Sequence, residues 1–121
     1  MIAHDFILCS RCPDNLEEFL LEKRSEFTKI HDQFIQEYYE VFSNVKLFWN
    51  EVGNYGDGFC YYGISIITPE MAEDLKVAIV HYLKDNKTEK AEYFLGEELD
   101  VLNDLLEESV KSKKILLHFG I

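Results

Sequence analysis

The chain has 121 residues, enough for one domain, with 47% hydrophobic and 14% aromatic residues, a composition that folds rather than staying disordered. Its formal net charge of −11 excludes the usual binders of nucleic acid and anionic membrane, which must neutralise phosphates with Lys and Arg. A basic partner or plain solubility both account for such a charge. Three cysteines, Cys9, Cys12 and Cys60, make an odd set that argues against a disulfide framework. No apolar run reaches membrane-spanning length, and the first residues lack a signal-like basic segment, so a cytoplasmic location is expected.

Residues 2–8, "IAHDFIL", read as a first strand that stops at "CSRCPDN". Pro13, Asp14 and Asn15 then signal a helix start. From Leu16 to about Phe42 the apolar residues recur at three and four, which predicts one long amphipathic helix with a bend near residues 25–28. "KLFWNEV" at 46–52 and "FCYYGISIIT" at 59–68 read as strands, being aromatic and β-branched. Pro69 opens another helix, broken at 86–88, and a third runs from about Lys90 to Ser112 on a Leu95, Leu99, Leu102, Leu106, Val110 face. "KKILLHFGI" closes the chain as a strand. The expected architecture is a single α+β domain over residues 1–121 in βαββααβ order, a ferredoxin-like variant. Four antiparallel strands in the order 4-1-3-2 should carry the helices on one face.

Between the two middle strands lies "EVGNYGDGFCYYGIS", with four glycines and four aromatics. A phosphate loop would lead directly into a helix N-terminus, whereas this one leads into a strand, and Asp57 would repel the anion. The stretch therefore reads as a turn. Its flanking strands carry aromatics on both faces, more than a sheet covered on one side needs, so some of Phe48, Trp49, Tyr55, Tyr61 and Tyr62 are candidate interface anchors. Cover by a helix or a homodimer is the alternative.

Catalytic and metal motifs find little support. Cys9-Ser10-Arg11-Cys12 precedes a helix as a redox motif does, but Pro13 keeps Cys12 off its first turn. Zinc would need two further ligands; His4 and His118, on strands that could be neighbours, leave a Cys2His2 site as a remote option. His31 and His81 are expected on helices, near the surface. No catalytic residue, cofactor or metal is expected.

The last long helix is different. Residues 89–108 hold eight acidic side chains against Lys90, a net −7 in twenty residues. Glu97, Asp100, Asp104, Glu107 and Glu108 recur at three and four as one carboxylate stripe opposite the leucines. A single exposed stripe does not make the converging pocket a catalytic metal needs. It does suit electrostatic capture of a cationic protein, with aromatics slowing dissociation. Partner contacts are expected at Glu97, Asp100, Asp104, Glu107 and Glu108, with Trp49, Tyr55, Asp57, Tyr61 and Tyr62 around the hairpin.

On the run "EKAEYFLGEELDVLNDLLEE" and the hairpin "KLFWNEVGNYGDGFCYYG", the chain resembles in type the small acidic immunity proteins of bacterial toxin–immunity pairs. These include contact-dependent inhibition and polymorphic toxin systems. The resemblance implies a non-enzymatic inhibitor of a cognate basic toxin, a nuclease acting on RNA or DNA, working as a monomer or homodimer. The alternatives are a small ligand-sensing regulatory domain of ferredoxin-like type, and a phage-encoded nucleic-acid mimic.

Overall fold

The computed structural model describes residues 3–85 and 96–120. Among these residues, six strands form one open antiparallel sheet: β1 (Ala3–Cys9), β2 (Thr28–His31), β3 (Lys46–Trp49), β4 (Tyr55–Asp57), β5 (Ile64–Ile67) and β6 (Ile115–Phe119). Their order is β2-β1-β6-β5-β3-β4. The fold is thus α+β and antiparallel as expected, but with six strands in place of four. The C-terminal strand also lies between β1 and β5 rather than at an edge, so the ferredoxin-like order is not formed. Among the described residues, no helix is long and apolar enough to cross a membrane.

The extra edge strand β2 comes out of the expected long helix. That helix breaks where the bend was expected: α1 (Leu16–Glu22) ends, a 3-10 turn covers Arg24–Glu26, and β2 pairs with β1. Asn15 caps α1, its side chain accepting the Glu18 amide at 3.0 Å. Phe27 and Ile30, three apart, would share a helix face. In extended backbone they point to opposite sides. Phe27 packs under the sheet against Phe119 (centroids 5.2 Å apart), while Ile30 is buried above it. Two short helices, α2 (Asp32–Glu37) and α3 (Tyr39–Phe42), follow.

Helices cover both faces, not one. Above the sheet, α2, α3, α4 (Pro69–Asp85) and α5 (Gly96–Ser112) enclose the main core, built on Phe6, Ile30, Leu47, Ile67 and Leu116. Below it, α1 lays Leu16, Phe19 and Leu20 on Ile7, Ile66, Leu117 and Phe119. This second layer explains why both faces of β1, β5 and β6 are apolar. α5 ends where Lys113 takes a left-handed φ of 54° and the Lys114 amide closes on the Ser109 carbonyl at 3.0 Å. The expected start of this helix at Lys90, the break at 86–88 and the Leu95 contact lie outside the described residues.

The glycine stretch is a turn. Residues 50–54 join β3 to β4, with Asn50 at φ 66° and Gly53 at φ 96°. The chain then runs back on the side of the main core, burying Phe59 and Cys60, before β5 pairs with the other edge of β3. The expected strand at 59–68 is thus β5 alone, preceded by this return segment.

Candidate functional site

The stripe residues Glu97, Asp100, Asp104, Glu107 and Glu108 are exposed on α5. Glu107 has Lys76 of α4 at 3.9 Å and Glu108 accepts the Ser112 hydroxyl at 2.6 Å. Among the described residues, Glu97, Asp100 and Asp104 have no ion pair. Glu98 turns away from the stripe: its carboxylate accepts the His31 amide at 3.1 Å, tying the start of α5 to the end of β2. Helix α4 adds Glu70, Glu73 and Asp74, all exposed. The crevices along α4 and α5 have walls of Lys76, Asp104, Glu107, Glu108, Val110 and Lys111, continuing to Glu70, Glu73, Asp74 and Lys113. The sequence reading did not include this α4 contribution, because its acids mix with Lys76 and Lys84 in one dimension.

The aromatic candidates fall elsewhere and differ among themselves. Trp49 is half-buried, its indole lying where a Cβ at Gly56 would fall and its Nε1 donating to the Gly58 carbonyl at 2.7 Å. Tyr55 is 63% exposed and leans on Phe48; Asp57 is exposed and paired with Lys46 across the strands. Both belong to β4, an edge strand three positions beyond β6, about 14 Å across the sheet. Tyr62 is 83% exposed. Tyr61, stacked edge-on against it, is half-buried and turned toward Asp32. The helix that carries the stripe, α5, packs over β2 and β6, so the ten candidates do not form one continuous patch.

The structure assembles something the sequence did not announce. His4 on β1 and His118 on β6 are indeed neighbours, both fully buried. His4 Nδ1 lies 2.8 Å from His118 Nε2, and the rings stack with centroids 5.0 Å apart. His4 Nε2 reaches Asp32 Oδ1 at 2.8 Å; His118 Nδ1 reaches the Ser65 hydroxyl at 2.8 Å. Ser65 Oγ also accepts the Cys60 amide at 2.7 Å. At the outer end, the Tyr61 hydroxyl donates to Asp32 Oδ1 and the Gln36 amide donates to Oδ2 at 2.7 Å. Five elements from across the chain meet in this file: β1, α2, the 60–63 turn, β5 and β6.

Saturation of donors and acceptors sets the hydrogens. The Ser65 hydroxyl donates to His118 Nδ1, His118 Nε2–H donates to His4 Nδ1, and His4 Nε2–H donates to the Asp32 carboxylate. Each buried polar atom then has its partner, as burial requires. Burial, with His4 beside it, pushes the His118 pKa well below the ordinary imidazole value, so this ring stays neutral. Burial raises Asp32, but hydrogen bonds from Tyr61, His4 and Gln36 outweigh it and hold the carboxyl below its ordinary value. Tyr61 is raised chiefly by its bond to Asp32.

A serine joined to histidine and aspartate invites comparison with nucleophilic catalysis. Here Ser65 is fully buried and its oxygen is occupied by the Cys60 amide, so no substrate carbon can reach it. The file can hold or move a proton. It presents no exposed nucleophile.

Among the described residues, no group of three or more His, Cys, Asp and Glu could hold a metal ion. The nitrogens of His4 and His118 face each other, and Cys9 and Cys12 pack with the opposite layer, under α1. Burial, with Cys12 nearby, pushes Cys9 up to about 11, and burial also raises Cys12 and Cys60, the reverse of a reactive thiol. His31 is not on a helix but ends β2, its Nδ1 accepting the Gln33 amide at 3.0 Å; His81 is exposed on α4.

Comparison with protein-family models, with curated proteins and with solved structures finds no match to this chain.

Proposed function

We propose that this chain is a non-enzymatic inhibitor of a basic protein, of the immunity-protein type, that docks through the outer face of α4 and α5. One observation carries the reading: Glu97, Asp100, Asp104, Glu107 and Glu108 stand exposed on α5 and Glu70, Glu73 and Asp74 on α4, eight carboxylates against Lys76, Lys111 and Lys113 in the crevices between them. Such a face focuses negative potential and raises encounter rates with a cation. A nuclease is the natural target, since its substrate site is already a phosphate-binding patch that carboxylates can fill. The exposed Val77 and Val80 on α4 provide apolar contact beside the charges. Tyr62 and Tyr55 lie off this face and would serve as separate anchors on a large partner. In this reading the chain acts in the cytoplasm, where a cell needs protection from its own toxin.

The test is association with catalytically dead, cationic nuclease domains, followed by stopped-flow at several salt concentrations. The proposal expects an association rate that falls steeply with salt, and falls about tenfold or more in a D100K/D104K/E108K variant that remains folded. A rate indifferent to salt and to those reversals would remove the electrostatic interface. Binding to none of the cationic domains would remove the inhibitor reading.

A further inference from the structure

We propose that Cys9 and Cys12 form a redox-sensitive staple: a low-molecular-weight disulfide oxidises them to an internal bridge that ties the end of β1 to the segment entering α1. The proposal rests on the geometry of the lower layer and is independent of the partner reading.

Strand alternation places Cys9 below the sheet. It stands opposite Ile115 in the β1–β6 register, two positions on from Ile7 opposite Leu117, and all four belong to the layer that α1 covers. The chain then bends at both Ser10 and Arg11, and Cys12 packs on that same layer, as does Leu16 of α1. Two thiols three positions apart thus meet one apolar cluster, while Ser10 and Arg11 between them are exposed. The sulfurs lie close enough for a charge on Cys12 to be felt at Cys9. Pro13 holds Cys12 out of the helical region and Asn15 caps α1 beyond it, so the bridge closes without unwinding a helical turn.

Neither thiol has a strong competing bond. Cys9 Sγ donates to the Ile115 carbonyl at 3.6 Å and Cys12 Sγ to the Pro13 carbonyl at 3.8 Å, weak contacts that a bridge gives up at little cost. Both cysteines are partly exposed, so a small disulfide reaches them, whereas Cys60 is buried and stays a thiol. Catalytic pairs are easily reduced because a stabilised thiolate favours the dithiol; here burial raises both thiols and that bias is missing. The scarcity of thiolate also makes exchange slow, which suits a staple and not a turnover catalyst.

The step balances as thiol–disulfide exchange. The Cys12 thiolate attacks the small disulfide, forming a mixed disulfide and releasing one thiolate. Cys9, deprotonated in turn, attacks the Cys12 sulfur and expels the second. Two cysteine thiols lose two electrons and two protons, and the small disulfide gains them as two thiols. The ring of residues 9–12 then restricts the unfolded chain, and it anchors a layer whose helix, seven residues long, is too short to persist alone.

The experiment equilibrates the full chain in glutathione buffers of graded ratio, quenches with acid, alkylates, and reads intact mass and peptide maps. The staple expects a chain lighter by two hydrogens, bridged between Cys9 and Cys12, with Cys60 alone alkylated. Its fraction should follow the ratio of glutathione disulfide to the square of glutathione, and excess dithiothreitol should reverse it. In urea unfolding the bridged form should favour the folded state by about tenfold over the reduced form. Three alkylated thiols at the oxidising end overturn the proposal, as do glutathione adducts or dimers in place of the internal bridge. A bridge that forms only in urea, or one that leaves stability unchanged or lower, equally overturns it. In C12S neither the lighter species nor the buffer-dependent stability should appear; survival of either would assign the response to other groups.

Discussion

His4 and His118, 114 residues apart in the chain, share a 2.8 Å hydrogen bond with neither ring exposed to solvent. Two neutral imidazoles can make that bond only if one donates and the other accepts. The direction is imposed from outside the pair: the Asp32 carboxylate at one end can only accept, and the Ser65 hydroxyl at the other supplies the balancing donor.

Acid should therefore destabilise the protein in two stages. The folded His118 pKa is depressed, so the unfolded chain binds more protons below the ordinary imidazole value. Stability is present above about pH 6.5 and falls as pH drops, by about 1.4 kcal/mol per unit for one proton. Asp32, also depressed, contributes stability above about pH 4 that is lost as pH falls through its folded value. Urea unfolding from pH 8 to about pH 2 checks both stages. Stability that stays level from pH 7.5 to pH 5 would contradict the buried neutral imidazole.

Breaking the file at either end should cost more than a surface change. Asp32→Asn weakens a charge-assisted bond and loses acceptors for Tyr61 and Gln36, for about 2–3 kcal/mol. Ser65→Ala orphans the Cys60 amide and His118 Nδ1, at about 1–3 kcal/mol for each group. Because both act through one hydrogen-bonded file, the double variant should lose less than the sum. Chemical denaturation of the four species measures the coupling, and strict additivity would mean the ends do not communicate.

Gly56→Ala should displace the only tryptophan. The new Cβ would fall inside the Trp49 indole and force it off the Gly58 carbonyl, costing about 1–3 kcal/mol. Trp49 emission reports this directly: a red shift is expected in the folded variant, with no change in the unfolded one. Unaltered emission would place the indole elsewhere.

Tyr38→Phe should leave the protein as stable or more stable, by up to about 1 kcal/mol. Among the described residues the Tyr38 hydroxyl is buried without a hydrogen-bond partner, so its removal loses no bond there and ends a desolvation penalty. The ring keeps its packing on Phe34 and Phe42. A loss of 1 kcal/mol or more in thermal or urea unfolding would show that the hydroxyl does have a partner.

Much of the fold was legible because local chemistry announces it. Asn15 caps a helix, Pro69 opens one, and the aromatic and β-branched runs form strands; Gly53 sits in a turn that needs positive φ. Residues 28–31 were not legible, since the spacing of Phe27, Ile30 and Phe34 satisfies a helix as readily as a strand that alternates between two cores. The second layer under α1 escaped notice for the same reason: an apolar residue carries no label saying which face of the sheet it serves.

Charge, turn chemistry and helix ends depend on neighbours in the chain, and the amino-acid order by itself determined them, the acidic run on α5 included. Whether carboxylates are exposed, and which side chains meet, depends on long-range pairing. Only the register of β1, β6 and β5 sets Phe6 and Ser65 on either side of His118 and brings His4 within reach. Asp32 arrives from a helix that follows the edge strand, and Tyr61 from the turn that leads into β5. Single histidines, a serine and an aspartate scattered over the chain have no shared spacing; tertiary structure alone makes them one file, because a buried polar group is tolerated only where the fold supplies its partner.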